Sequence, residues 1–67
     1  MTYQFTIRTT TDFLCDLLPN FSREHGVYHS IGFDEGYTVT FRCPKHRRNR
    51  LEGARDELSH LVIEDIH

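Results

Sequence analysis

The stretch Val27-Tyr28-His29-Ser30-Ile31-Gly32-Phe33-Asp34-Glu35-Gly36-Tyr37-Thr38-Val39-Thr40-Phe41-Arg42-Cys43 decides how this chain folds. Val27, His29, Ile31 and Phe33 share one face of a strand, and Tyr37, Val39, Phe41 and Cys43 share one face of the next. Successive side chains in a strand point to opposite faces, so the two apolar sets meet only in a register of the right parity. Pairing Phe33 with Tyr37 keeps both sets on one side and leaves Asp34-Glu35-Gly36 as a three-residue loop, with Gly36 expected in the left-handed position. A two-residue loop would pair Phe33 with Thr38 and set the faces against each other. The same register places Cys43 opposite Val27.

Upstream of the hairpin, Tyr3, Phe5 and Ile7 alternate with Gln4, Thr6 and Arg8, which predicts a half-buried strand. Thr10-Thr11-Asp12 offer hydroxyl and carboxylate caps for a helix whose buried stripe is Phe13, Leu14, Leu17, Leu18 and Phe21. Pro19 is expected to end or kink that helix, because its ring blocks the bond to the preceding turn. Ser22 to Gly26 then reads as a loop. Downstream, Leu51, Ala54, Leu58 and Leu61 recur at helical spacing from about His46. The last segment, Leu61 to Ile66, is β-branched and follows Ser59-His60, which favours a short final strand. The alternative is a helix running on to the C-terminus.

The element order is therefore β-α-β-β-α-β, the split βαβ or ferredoxin-like arrangement, an α+β sheet with two helices on one face. With a continuing last helix it becomes β-α-β-β-α. At 67 residues the chain makes one domain, 1–67. A domain of this size buries only about 60% of the surface its unfolded chain exposes. Its expected stability is roughly 3–5 kcal/mol unless a metal, a disulfide or a second copy staples it. Composition, 37% hydrophobic and 27% charged, is that of a folded domain and excludes a disordered tail. The alternating N-terminal segment has neither a signal peptide's apolar core nor a membrane span's length. A cytoplasmic setting with reduced Cys15 and Cys43 is the expectation, and a Cys15–Cys43 bridge the secreted alternative.

The sheet face away from the helices carries Gln4, Thr6, Arg8, Tyr28, Ser30, Thr38, Thr40 and Arg42. RNA-recognition sheets display stacking aromatics on such a face. Here Tyr37 and Phe41 fall on the apolar side with Val39, so only Tyr28 remains as an exposed stacking candidate.

Charge is the other distinctive feature. The run Arg42-Cys43-Pro44-Lys45-His46-Arg47-Arg48-Asn49-Arg50 holds five of the eight Lys and Arg residues in a chain whose net charge is −2. Net acidity argues against a general nucleic-acid coat, which would be strongly basic. The run sits where the third strand hands over to a helix, and helix starts favour the opposite sign of charge. Simple solubilisation, with Glu52, Asp56 and Glu57 neutralising the arginines one turn away, is the plainest account. Their position points further, to anion gripping. Arg42, Lys45, Arg47, Arg48 and Arg50, with Tyr28 and Arg8, form the candidate binding set, matched to carboxylates on an acidic protein or to phosphates.

Two further chemistries have partial signals in the sequence. His25 and His29, with Cys43 and His46, are two ligand pairs that the hairpin register brings toward one end, as a tetrahedral zinc site requires. Their spacing matches no finger motif, and Pro44 restricts the second pair. For nucleophilic catalysis Cys43 or Cys15 lacks a positioned base, an orienting group and a cleft. The expectation is therefore a non-catalytic protein-binding module without a cofactor, a small regulator or inhibitor similar in size to phage accessory proteins and antitoxins. Its partner would be a larger acidic protein, with no membrane; nucleic acid is the alternative partner, and pairing into a homodimer is expected to supply missing burial.

Overall fold

Alternation and register place β1 (Thr2–Thr9), β2 (Tyr28–Phe33), β3 (Tyr37–Pro44) and β4 (Val62–Glu64) in one antiparallel sheet of order β2-β3-β1-β4 in the computed structural model, which describes residues 1–67. β3 and β1 occupy the centre, pairing Phe5 with Phe41, Ile7 with Val39 and Tyr3 with Cys43. The hairpin register is the one its alternation requires: Phe33 faces Tyr37, and the ladder continues through Ile31–Val39 to Tyr28–Arg42. The tip differs in detail. Glu35 takes the left-handed conformation at φ 56°, and Gly36 opens to φ 130°. The Asp34 N–H donates to the Gly36 carbonyl, 2.9 Å, and the Arg8 guanidinium donates to the Asp34 carbonyl, 3.3 Å.

The first helical run departs from the sequence expectation at Pro19. A π-helical segment, Phe13–Leu17, leads into α1 (Leu18–His25), which carries Pro19 in its first turn. Proline has no N–H to donate and its ring needs the space of the carbonyl four residues back. The widened turn, in which the Leu18 N–H reaches Phe13 O, supplies that space, so the helix passes through Pro19 instead of ending. The change of period has a consequence. Phe13 and Leu18 stay buried, Leu14 and Phe21 are half-buried, and Leu17 turns out to solvent at 58% exposure. No side chain caps this start, so the Thr10-Thr11-Asp12 caps do not form.

Ser22 to Gly26, read as a loop, is mostly helix. Ser22 is buried and its hydroxyl donates to the Val27 carbonyl. Gly26 ends the helix in the left-handed conformation at φ 64°. Its N–H reaches Arg23 O at 3.2 Å while the Val27 N–H reaches Ser22 O at 3.1 Å, the paired bonds of a Schellman stop. That cap delivers Val27 directly into the hairpin.

A 3₁₀ turn, Lys45–Arg47, leads into α2 (Arg48–Glu57), and a second, Ser59–Leu61, leads into β4. The last segment is thus a strand and not a continuation of the helix. Leu51, Ala54 and Leu58 are buried. β4 joins β1 through a register shift at Thr6/Ile7, and the chain continues alongside to His67, which exchanges two 3.0 Å backbone bonds with Gln4. Both helices lie on one sheet face over a core that stacks Phe5 on Phe41 (centroids 5.1 Å apart), with Phe21 edge-on to Phe41 at 5.5 Å. Such aromatic pairs add roughly 0.5–1.5 kcal/mol each beyond area burial. Cys15 is exposed and Cys43 lies in the core, and both are free thiols. No helix is long and apolar enough to cross a membrane.

Candidate functional site

The basic run occupies one end of the sheet, where β3 leaves through Pro44 into the 3₁₀ turn and α2. Backbone pairing holds it in place: Thr2 faces Pro44, and the Lys45 N–H donates to Met1 O at 3.3 Å. Arg42, Lys45, Arg47, Arg48 and Arg50 are all exposed. Only Arg48 has an acidic partner, Glu52 one turn on at 3.7 Å, and its guanidinium also lies over the Tyr3 ring at 4.6 Å from the centroid. Arg50 folds back over Gly26 and fills the space a Cβ there would need. Asp56 and Glu57 are engaged elsewhere, with Arg55 at 3.2 Å and His25 at 2.9 Å. The neutralisation expected from these acids is therefore limited to Arg48. The first turn of α2 carries no acid and no capping side chain, so the cations stand against the helix dipole.

Tyr28 and Arg42 face each other across the β2–β3 ladder on the helix-free side of the sheet, and Tyr28 is 70% exposed. Between them and the far end of the sheet, Thr6 and Thr40 share a hydroxyl–hydroxyl bond of 3.0 Å. Arg8 belongs to that far end. It pairs with Thr38, whereas Arg42 pairs with Gln4. Four residues of strand, about 13 Å, separate the two arginines. Its guanidinium braces the hairpin tip, so it is not part of the basic cluster.

The zinc candidates do not converge. His25 bonds to Glu57 and packs against Phe21, centroids 4.4 Å apart. His29 and His46 are exposed on different elements, and Cys43 faces the core. No group of three or more His, Cys, Asp or Glu side chains meets at one point. Burial pushes the Cys43 thiol up from its ordinary value, partly offset by a backbone hydrogen bond from Leu51. A thiol so held is neutral at physiological pH and is a poor nucleophile.

Two surfaces escaped the sequence reading. Ile31 and Phe33 lie on the helix-side face, as their alternation requires, yet are 55% and 73% exposed because they stand on the outer strand beyond the helices. Phe33 makes only an edge contact with Tyr37, centroids 5.4 Å apart. The outward turn of Leu17 opens a shallow groove of about 680 Å³ between Phe13, Leu17 and Leu61, rimmed by Arg8, Asp12 and Asp16. A β2 strand six residues long beside an α1 of only eight was a partial clue to the first surface. The second had only Pro19 as a mark of helix distortion, which does not tell a π turn from a break. No protein-family model, curated protein or solved structure matches this chain.

Proposed function

We propose that this chain is a non-catalytic protein-binding module, a small regulator or inhibitor that docks on an acidic surface of a larger partner. The observation that carries this reading is the set Arg42, Lys45 and Arg47. These three cations lack any acidic partner within a chain that has ten acids to eight Lys and Arg. They project from a strand end and a 3₁₀ turn held by backbone pairing, so their engagement costs side-chain rotamer entropy but little backbone ordering. Guanidinium forks suit carboxylates, and exposed Tyr28 beside Arg42 supplies the aromatic contact common at protein interfaces. Arg48 and Arg50 flank the set, and Arg8 serves the hairpin tip. The two free thiols accord with a reducing, cytoplasmic setting.

Tyr28 beside Arg42 on an uncovered sheet face also supports a second reading, nucleic-acid binding by stacking and phosphate contact. Titration separates the two. With a Glu-rich acidic peptide as probe, backbone amide signals of Arg42, Cys43, Lys45, His46, Arg47 and Tyr28 are expected to shift at physiological salt. Arg42→Glu with Arg47→Glu abolishes those shifts and leaves the fold intact. Binding of mixed-sequence oligonucleotides at the same salt, with affinity falling steeply as salt rises, would replace the protein reading with the nucleic-acid one.

A further inference from the structure

β2 has the properties that natural proteins keep away from a sheet edge. Residues 28–33 include no Lys, Arg, Asp, Glu or Pro, and every one of them is exposed. Such an edge presents unpaired N–H and C=O groups as a template for another strand, and proteins normally blunt it with charge, proline, brevity or a bulge. β4, at the opposite edge, is three residues long, joins β1 through a register shift and ends in Glu64, with Asp65 next along the chain. β2 has none of these devices, and it carries Tyr28, Ile31 and Phe33 into solvent.

We propose that the occupant of this edge is β2 of a second copy, paired antiparallel about a twofold axis through Ser30 to give one continuous eight-stranded sheet. A twofold axis normal to the sheet keeps both helix layers on one side, and side-chain parity then centres the pairing on a residue and not between residues. Centring on Ser30 overlaps residues 28–32 of β2 and carries Phe33 to Val27 of the other copy. Every exposed apolar side chain of the strand then gains a neighbour. On the helix side Ile31 meets His29 and Phe33 meets Val27 of the other copy. On the open side Tyr28 lies across from Gly32, an aromatic ring over a residue without a side chain, as favoured cross-strand glycine partners do.

Charge fits the same register. The carboxylates of Asp34 and Glu35 at the hairpin tip have no partner within the chain. Pairing about Ser30 carries Asp34 of one copy opposite Gly26 of the other, where Arg50 lies over the backbone without an acidic partner of its own. The axis repeats this contact, so two acidic tips meet two arginines. The dimer shares Tyr28 and the flanking Arg50 with the docking reading but leaves Arg42, Lys45 and Arg47, the three cations that carry that reading, free.

Sedimentation equilibrium of the whole chain tests the pairing. The expected mass is twice the 8.0 kDa of one chain. Ser30→Glu sets two carboxylates face to face on the axis and is expected to halve that mass while leaving the circular dichroism spectrum unchanged. A Ser30→Cys variant in a Cys15→Ser background is expected to form a disulfide-linked dimer on mild oxidation, because a residue on the axis faces itself. Ile31→Cys in that background faces His29 and is expected to cross-link far less. Monomer mass up to about 1 mM, a dimer that survives Ser30→Glu, or cross-linking that favours residue 31 over residue 30 would each overturn the proposal.

Discussion

The two edges of the sheet are opposites. β2 is long, uncharged and open, whereas β4 is short, shifted in register and fastened. The fastening is specific: Arg55 grips Asp65 through two bonds of 3.0 and 2.8 Å, and the Asp65 carboxylate also accepts from the Ile66 N–H at 2.8 Å. Beyond it, the Gln4–His67 pair closes the ladder. With only twelve residues buried, the domain pins the chain end beside β1, in line with β4, and leaves β2 uncharged and bare. The difference teaches where apolar exposure gathers: β2 carries Tyr28, Ile31 and Phe33 into solvent, whereas at β4 only Ile63 is exposed, a contrast that fits the pairing proposed above.

The strongest test of that contrast is whether both edges rest on one core. Phe41 lies fully buried in β3, against Phe5 and Phe21. Phe41→Ala is expected to cost about 3–5 kcal/mol, similar to the roughly 3–5 kcal/mol such a domain commands. Circular dichroism should then show no cooperative melt, with both edges lost together; a surviving cooperative transition breaks the picture of a shared core. Next comes the approach to β2. Gly26→Ala places a Cβ at φ 64° where Arg50 already lies, and is expected to cost about 1–2 kcal/mol. The melting temperature should fall by about 4–8 °C per kcal/mol.

A smaller effect sharpens the contrast at β4. Asp65→Asn is expected to speed amide hydrogen exchange at Gln4 and His67 and leave β2–β3 amides unchanged. Acid should do the same. The Arg55 guanidinium and the Ile66 N–H hold the Asp65 carboxyl below its ordinary value. A group with a lowered folded pKa contributes stability above its unfolded pKa and loses it as pH falls through the folded one. The β4 fastening is therefore complete at neutral pH and is released below about pH 4. Uniform exchange across both edges in that range would contradict it. Smallest of all is Thr6→Val, which removes the Thr6–Thr40 hydroxyl bond at the sheet centre. Its cost is expected to be about 1 kcal/mol or less by urea denaturation, with neither edge favoured.

Parity made the hairpin legible. Phe33 must face Tyr37 because a slip of one residue moves every side chain to the wrong side, and that penalty is visible in the sequence itself. The helices were less legible because their period is not locked in this way. Pro19 signalled a break, yet a π turn absorbed it. Ser22 has weak helix propensity, yet burial and its bond to Val27 hold it in α1. The charge of the 42–50 run was plain, but which cations remain free depends on where Glu52, Asp56, Glu57 and Gly26 lie in three dimensions. The exposure of Ile31 and Phe33 was hidden for a similar reason. Alternation assigns a face, and only the reach of the helices decides how much of that face is covered.

The π segment at Phe13–Leu17 has one more consequence. A π turn within a helix is a run that holds one residue more than its turns require. Residues before and after it are counted in different frames, and Leu17 falls on the seam. A chain one residue shorter between Phe13 and Leu18 would close that seam, return Leu17 to the line of the buried stripe and erase the groove against Leu61. That concavity is thus specified by chain length, a feature no single side-chain substitution would reveal.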